Sequence, residues 1–188
     1  PSGLRVDLPI IDAMDLAYRP AGEEAAVLTE RRSIEISAPA PDGTYAMDWT
    51  CTFRAVREVV LDRTPIPGEP GGQSWGGYAG LSLRLTGDLT GRRAVTIDGP
   101  VAESEMREER YRGRHAALDY SGLVNGTPAG VAILDHPGNP RSPTPWYVII
   151  SAEMSFFSPA LLCFEPMTLR PGEGLTLRYR VIVHPGRW

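Results

Sequence analysis

The stretch "YAMDWTCTFR", residues 45–54, decides the fold. Apolar residues stand at every second position from Tyr45 to Phe53, and the positions between them are small, polar or charged. Successive side chains of a β-strand point to opposite faces, so this period of two predicts a strand with one buried face.

The same alternation dominates the rest of the chain. It returns over residues 175–183, where Ile182 is the exception, and shorter segments show it at residues 34–36, 59–61, 81–85, 95–97, 131–133 and 146–150. Asn125-Gly126 is typical of a two-residue hairpin loop, because both residues tolerate positive φ. Many short antiparallel strands predict an all-β fold, an antiparallel β-sandwich that is jelly-roll-like or a supersandwich.

Length and composition predict one domain over residues 1–188, with the 42% hydrophobic and 22% charged residues typical of a soluble globular protein. Residues 101–114 could be helical, but they are so charged that an exposed loop is an equal alternative. Charged residues within residues 1–16 argue against a signal peptide, and residues 120–134 are too short to span a membrane. These features slightly favour a cytoplasmic location but leave the compartment open.

The charged residues and cysteines exclude several classes of chemistry. A net charge of −4 argues against a nucleic-acid partner. All 19 basic residues are Arg, which excludes lysine Schiff-base and P-loop chemistry. Cys51 and Cys163 are expected to be buried free thiols, with a disulfide as the alternative. We predict no cofactor and no metal, although His and carboxylate groups leave a divalent metal as an alternative.

The segment Gly72-Gln73-Ser74-Trp75-Gly76 matches the G-x-S-x-G pattern of a hydrolase nucleophile elbow. Such an elbow requires a strand before the serine and a helix after it. Here three prolines precede the motif and an alternating segment follows it, so Ser74 is predicted to be a turn residue.

The proline-rich stretch "LDHPGNPRSPTPWY", residues 134–147, is the richest candidate for a site. His136 could handle protons near neutral pH, with Asp135 beside it, while Asn139, Arg141 and Trp146 could contact a ligand. The equal alternative is a structural corner in which Asp135 and Asn139 make turn hydrogen bonds.

Two further pairs of residues are candidates. Asp119 and Asp135 could form a carboxylate pair for glycoside chemistry. Trp75 and Trp146 could offer flat apolar faces to a sugar, although core packing is the commoner fate of Trp.

Four stretches resemble the bacterial domain family labelled PmoA-like methane oxygenase: "VLTERRSIEISAPAPDGTYAMDWTCTFRA" (27–55), "SWGGYAGLSLR" (74–84), "DYSGLVNGTPAGVAILDHPGNPRSPTPWY" (119–147) and "LRPGEGLTLRYRVIVHPG" (169–186). The positions that match its motifs are Trp75, Gly76, Arg84, Asp119, Gly122, His136, Asn139 and Trp146. The resemblance implies a carbohydrate setting, because members are often encoded near sugar dehydrogenases and isomerases. Particulate methane oxygenase subunits are membrane proteins, so oxygenase activity is not expected here.

Longer members of that family carry an N-terminal segment with adjacent histidines, to which nothing here corresponds. The resemblance therefore implies a fragment, a reduced member or half of an assembly. Open strand edges in such a chain would favour self-association into a homo-oligomer.

Two functions follow as hypotheses, with a purely structural role as the third. The first is a carbohydrate-processing enzyme or accessory protein in which Trp75 and Trp146 stack on the sugar. Its other ligand contacts would be Arg84, Asn139 and Arg141, and its proton carriers His136 with Asp119 or Asp135. The second is a non-catalytic carbohydrate-binding or assembly module that uses the same loops for contacts only.

Overall fold

The computed structural model describes residues 10–188. The prediction that residues 1–16 contain no signal peptide therefore lies partly outside the described residues. The strands are β1 Ile10–Tyr18, β2 Leu28–Ile36, β3 Tyr45–Ala55, β4 Val59–Leu61, β5 Leu83–Arg84, β6 Thr90–Thr96, β7 Gly99–Pro100, β8 Arg110–Arg114, β9 Ala117–Val124, β10 Thr127–Asp135, β11 Pro145–Ile150, β12 Ser155–Pro159, β13 Met167–Leu169 and β14 Gly174–Pro185.

These strands form an antiparallel β-sandwich, which confirms the predicted all-β class. The large sheet has eight strands in the order β1-β2-β3-β14-β10-β9-β6-β7, and the small sheet has four in the order β5-β12-β11-β8. Strands β13 and β4 form a separate two-stranded ribbon. Consecutive strands pair at β1-β2, β2-β3, β6-β7, β9-β10 and β11-β12, whereas the other neighbours, such as β3 and β14, are far apart in the chain.

The two long alternating segments pair in the middle of the large sheet, where Trp49 of β3 lies opposite Tyr179 of β14. Directly opposed residues share a face, so the apolar positions of both strands point to the inner side. Ile182, the exception to the alternation, lies opposite Ala46 and therefore belongs to the outer face.

The core lies between the two sheets. Tyr120 of β9 stacks on Phe157 of β12 with ring centroids 5.5 Å apart, and both side chains are fully buried. Loop residues Leu161 and Leu162, together with Leu169 of the ribbon, join the same core cluster. These residues extend the core where the smaller sheet has no strand to contribute.

The hairpin prediction is confirmed, because Asn125 and Gly126 connect β9 to β10 with φ values of 50° and 78°. Residues 101–114, for which a helix was one alternative, contain the 3₁₀ turn Glu103–Glu105 followed by strand β8. Between residues 10 and 188, no helix combines the length and apolar character needed to cross a bilayer.

Ser74 lies in a turn, as predicted. A Cβ at Gly72 would lie 2.2 Å from the carbonyl oxygen of Ile66, and one at Gly76 would lie 1.9 Å from that of Pro65. The two glycines of the G-x-S-x-G pattern are therefore needed for close backbone packing, and the next element along the chain is strand β5.

Candidate ligand-binding site

A groove of about 400 Å³ lies on the outer face of the small sheet, and we call it the aromatic groove. Its lining residues come from the segment around residues 75–78, from the outward-facing positions of the small sheet, and from the loops before β8 and between β11 and β12. They are Trp75, Tyr78, Arg84, Glu109, Arg110, Tyr147, Ile149, Ser151, Glu153, Met154 and Phe156. The alternation of β11 explains this placement, because Tyr147 and Ile149 face outward while Trp146 and Val148 face the core.

Four aromatic rings form one wall of the groove. Tyr78 is central, with ring centroids 6.4 Å from Trp75, 6.1 Å from Tyr147 and 6.5 Å from Phe156. Trp75 and Tyr78 remain 45% and 47% exposed, whereas Tyr147 is buried beneath them. The groove therefore presents two aromatic faces to solvent above a packed aromatic base.

Arg112 holds the turn that carries Trp75. Its guanidinium donates hydrogen bonds to the carbonyl oxygen of Ser74 at 2.6 Å and to that of Gly76 at 2.7 Å. It also lies over the ring of Tyr147, 5.0 Å from the centroid. Trp75 is thus positioned by a side chain from the neighbouring strand β8, which limits the entropy that ligand binding would cost.

Charged groups line the groove around the aromatic wall. Arg110 donates from Nε to the Tyr147 hydroxyl at 3.2 Å and from Nη1 to the Glu108 carbonyl at 2.5 Å. Arg84 is exposed and has no ion-pair partner within residues 10–188. Burial raises the pKa of the Tyr147 phenol despite the nearby Arg110, so this hydroxyl stays protonated at neutral pH.

The groove brings together Trp75 and Arg84 from the predicted site residues. Their assignment as ligand contacts stays a prediction, while their shared location gives it a geometric basis. Sequence reasoning missed Tyr78, Tyr147 and Arg112. For Arg112 the sequence did contain a signal, the alternation in "RYRGR", residues 110–114. In a strand this alternation places Arg110 and Arg112 on one face and Tyr111 on the other.

Trp146 does not reach this groove, which corrects the expectation that it stacks on a sugar. Its side chain is fully buried, and its indole Nε1 donates to the carbonyl oxygen of His115 at 2.8 Å. The cause is the position of Trp146 on β11, since it points into the sandwich between two outward-facing neighbours.

Asp135 and Asn139 form the structural corner that was the alternative to a site. Asn139 donates from Nδ2 to Asp135 Oδ1 at 2.8 Å, and the backbone N–H of Thr144 donates to Asp135 Oδ2 at 3.0 Å. The Asn139 amide also bonds to both backbone groups of Arg178, at 2.7 and 2.8 Å. These buried groups are used by the fold itself.

His136 and Arg141 also lie apart from the aromatic groove. His136 is exposed and accepts a hydrogen bond at Nδ1 from the backbone N–H of Gly138. Arg141 donates to the carbonyl oxygens of Leu161, Glu165 and Pro166 at 2.7–2.9 Å. It therefore closes the loop beyond β12 and does not face a ligand.

Asp119 and Asp135 do not form a carboxylate pair, which corrects the glycoside-chemistry hypothesis. Asp119 lies opposite Ala132 of β10, and Asp135 lies three residues further along that strand. An odd separation along a strand places the two carboxylates on opposite faces of the large sheet.

Asp119 instead accepts a hydrogen bond at Oδ2 from Nε2 of His184 at 2.7 Å. Both side chains are buried, and the ring of Trp188 stacks on His184 with centroids 5.3 Å apart. Asp119 therefore lies apart from the other two predicted acid–base residues. Asp135 and His136 both line a cavity of about 410 Å³ that is separate from the aromatic groove, and Asp135 is already hydrogen-bonded within the fold.

Cys51 and Cys163 are both free, as expected, and Cys163 is buried. Across residues 10–188, no three His, Cys, Asp or Glu side chains converge in the way that a metal ion requires.

Comparison with known proteins places the chain in one family. A family model described as "Family of unknown function (DUF6807)" matches residues 13–188, which is nearly the whole chain. A search of curated proteins found no match.

Proposed function

The chain belongs to DUF6807, a family of unknown function, and we propose that its aromatic groove binds a carbohydrate. A sugar ring would lie against Trp75 and Tyr78, and Arg84 would donate hydrogen bonds to its hydroxyl or carboxylate oxygens. The observation that carries this proposal is the presence, in one groove, of two half-exposed aromatic side chains and an arginine without an ion-pair partner among residues 10–188.

We favour binding without catalysis over sugar processing. The three residues expected to handle protons lie outside the groove, and two of them are engaged in buried hydrogen bonds. The two half-exposed aromatic faces instead suit contact with a sugar ring. The ligand is therefore proposed to be held by stacking and hydrogen bonds, as in a carbohydrate-binding module.

A sugar-processing enzyme is the second candidate, favoured by Glu109 and Glu153. Both exposed carboxylates line the groove, and glycoside hydrolysis commonly uses two carboxyl groups, one on each side of the scissile bond. This candidate would be favoured if the unmodified protein hydrolyses a bound oligosaccharide and if each of the variants Glu109→Gln and Glu153→Gln loses that activity. The resemblance to PmoA-like proteins stays a prediction.

Calorimetric titration with neutral oligosaccharides and uronic acids tests the proposal. The control for Trp75→Ala is Trp188→Ala, which removes an exposed Trp outside the groove. We expect Trp75→Ala to weaken binding by about 30-fold, corresponding to about 2 kcal/mol for a stacking anchor, and Trp188→Ala to leave it unchanged. Arg84→Gln should weaken binding of uronic acids more than that of neutral sugars.

The proposal fails if none of the sugars binds, or if Trp75→Ala binds a sugar as tightly as the unmodified protein. Equal weakening by Trp188→Ala would also contradict it, because the contact would then lie outside the groove.

A further inference from the structure

A second cavity, of about 430 Å³, lies on the inner face of the large sheet, and we call it the Arg32 cleft. Its residues come from β1, β2, β3 and β14, with residues 80–82 contributing one wall. They are Tyr18, Arg32, Trp49, Cys51, Phe53, Gly80, Leu81, Ser82, Leu177 and Tyr179. It shares no lining residue with the aromatic groove, so it is a separate site.

An ion pair with a buried carboxylate and a partly exposed guanidinium stands beside this cleft. The Glu30 side chain is fully buried, and Arg32 donates to both of its oxygens, from Nε at 2.6 Å and from Nη2 at 3.0 Å. The Tyr18 hydroxyl donates to the same carboxylate. Burying the Glu30 carboxylate on the inner face of a sandwich is costly unless its hydrogen bonds are made, and Arg32 and Tyr18 make them.

Hydrogen bonds hold Glu30 in its charged form. Burial alone raises the pKa of this carboxyl, but donation from Arg32, Tyr18 and the Cys51 thiol outweighs burial and leaves the pKa below its ordinary value. The ionised Glu30 carboxylate therefore holds the Arg32 guanidinium in place.

The guanidinium of Arg32 also has a free donor. Nε and Nη2 are occupied by Glu30, whereas Nη1 makes no hydrogen bond to any residue between 10 and 188. Its carbon Cζ lies 5.7 Å from the centroid of the Trp49 ring, and 27% of the side chain is exposed. Arg32 thus offers a positioned N–H group in a cleft whose walls are mostly aromatic and aliphatic.

The charge balance selects the kind of ligand. Glu30 neutralises Arg32, so a second carboxylate would be repelled by the first without gaining a free cation. The aromatic and aliphatic walls formed by Trp49, Phe53 and Leu177 suit a flat apolar body.

We propose that the Arg32 cleft binds an uncharged aromatic compound, one of whose carbonyl or hydroxyl oxygens accepts a hydrogen bond from Nη1 of Arg32. The ring system of the ligand packs between Trp49, Phe53 and Leu177. This site is independent of carbohydrate binding in the aromatic groove.

The test uses an uncharged naphthyl ketone dye, dimethylamino-propionyl-naphthalene, whose emission rises and shifts to the blue when it leaves water. We expect the intact protein to produce this change. Acetylnaphthalene, which is uncharged, should displace the dye, whereas naphthoate, which has the same rings and a carboxylate, should not. Equal displacement by the two competitors would overturn the proposed preference for uncharged ligands.

Variants locate the site. The double variant Glu30→Gln/Arg32→Gln should bind the dye about tenfold more weakly, because it loses a charge-assisted hydrogen bond without leaving a lone buried charge. Ser82→Trp changes an exposed residue in the wall of the cleft, so it should fold normally and abolish binding by filling the space.

Arg31→Gln is the matched control, because Arg31 is 69% exposed and lies one position from Arg32 on the opposite face of β2. It should leave dye binding unchanged, and so should Trp75→Ala in the aromatic groove. The proposal is overturned if Ser82→Trp retains full binding, or if Trp75→Ala removes the fluorescence change.

Discussion

Asp135, the last residue of β10, and Asn139 in the loop after it are both buried, and Asn139 Nδ2 donates a hydrogen bond to Asp135 Oδ1 at 2.8 Å. The same Nδ2 also donates to the carbonyl oxygen of Arg178 in β14, and the amide oxygen accepts from the Arg178 N–H. This contact fixes the proline-rich loop, residues 134–147, to the middle of the large sheet. Asp135 and Asn139, which the sequence offered as candidates for a ligand site, therefore stabilise the attachment of this loop to the sheet.

Asn139→Ala should destabilise the protein by about 2–4 kcal/mol, because it leaves the Arg178 N–H group and the Asp135 carboxylate short of partners. The melting temperature should fall by roughly 5–15 °C for a chain of this size. His136→Ala is the control. It changes an exposed side chain in the same loop, and its effect should stay within about 0.5 kcal/mol. Equal melting temperatures for the two variants would contradict the structural role of Asn139.

Gly130→Ala should displace the His184 ring from Asp119. A Cβ at Gly130 would lie 2.7 Å from His184 Cε1 and equally close to Ser121 Cβ, so the ring must move and a buried hydrogen bond weakens. We expect a loss of about 1–3 kcal/mol in urea unfolding. Gly87→Ala is the matched control, because a Cβ there meets nothing within 4 Å. A loss in Gly87→Ala as large as that in Gly130→Ala would contradict the steric explanation.

Substitution of Trp146 should reduce stability but not sugar binding, whereas substitution of Trp75 should reduce sugar binding but not stability. Trp146→Phe removes a buried indole and its hydrogen bond to His115, and should cost about 2–4 kcal/mol of stability without affecting a ligand in the aromatic groove. Trp75→Ala should show the reverse, with sugar binding weakened about 30-fold and stability nearly unchanged. Thermal unfolding and calorimetry on both variants check this, and loss of sugar binding in a folded Trp146→Phe protein would count against it.

The thiols should react slowly in the folded protein. Burial raises the pKa of Cys51 from 9.0 to about 11, with a further contribution from its hydrogen bond to Glu30, and burial raises the pKa of Cys163 equally. At pH 8 the thiolate fraction of each should be roughly 100-fold smaller than in unfolded chain. The rate of alkylation by iodoacetamide measures the reactivity of the thiols, and in the Cys163→Ala variant it reports on Cys51 alone. If the folded Cys163→Ala variant is alkylated at pH 8 as fast as unfolded chain, the pKa of Cys51 is not raised.

Alkaline pH should destabilise the fold through Tyr18. Burial raises its pKa from 10.0 to about 12, and the hydrogen bond to Glu30 acts in the same direction. A raised pKa favours the protonated form in the folded state, so this stabilisation is complete below pH 10 and is lost as the pH rises towards 12. Tyr18→Phe should therefore lose less stability between pH 9 and 11, as measured by urea unfolding. If the stability of the two proteins falls equally with pH, Tyr18 does not contribute to the alkaline destabilisation.

The sequence alone determined the fold class and several local features. The alternation of residues 45–54 and 175–183 specifies which side chains face the core, because a strand has a period of two whatever it pairs with. Asn125-Gly126 specifies its hairpin, and the prolines before Ser74 exclude a nucleophile elbow. Each of these conclusions depends on backbone geometry within a few residues.

Only the tertiary structure decided which candidates share a site. Trp75 and Trp146 are both tryptophans next to Gly or Pro, yet one lies half-exposed in a groove and the other is fully buried. The pairing of Asp119 with His184, and the separation of Asp119 from Asp135, depend on strand order in the large sheet. Contacts between residues 30 to 130 positions apart arise from strand pairing and sheet packing, and no local pattern in the sequence encodes them.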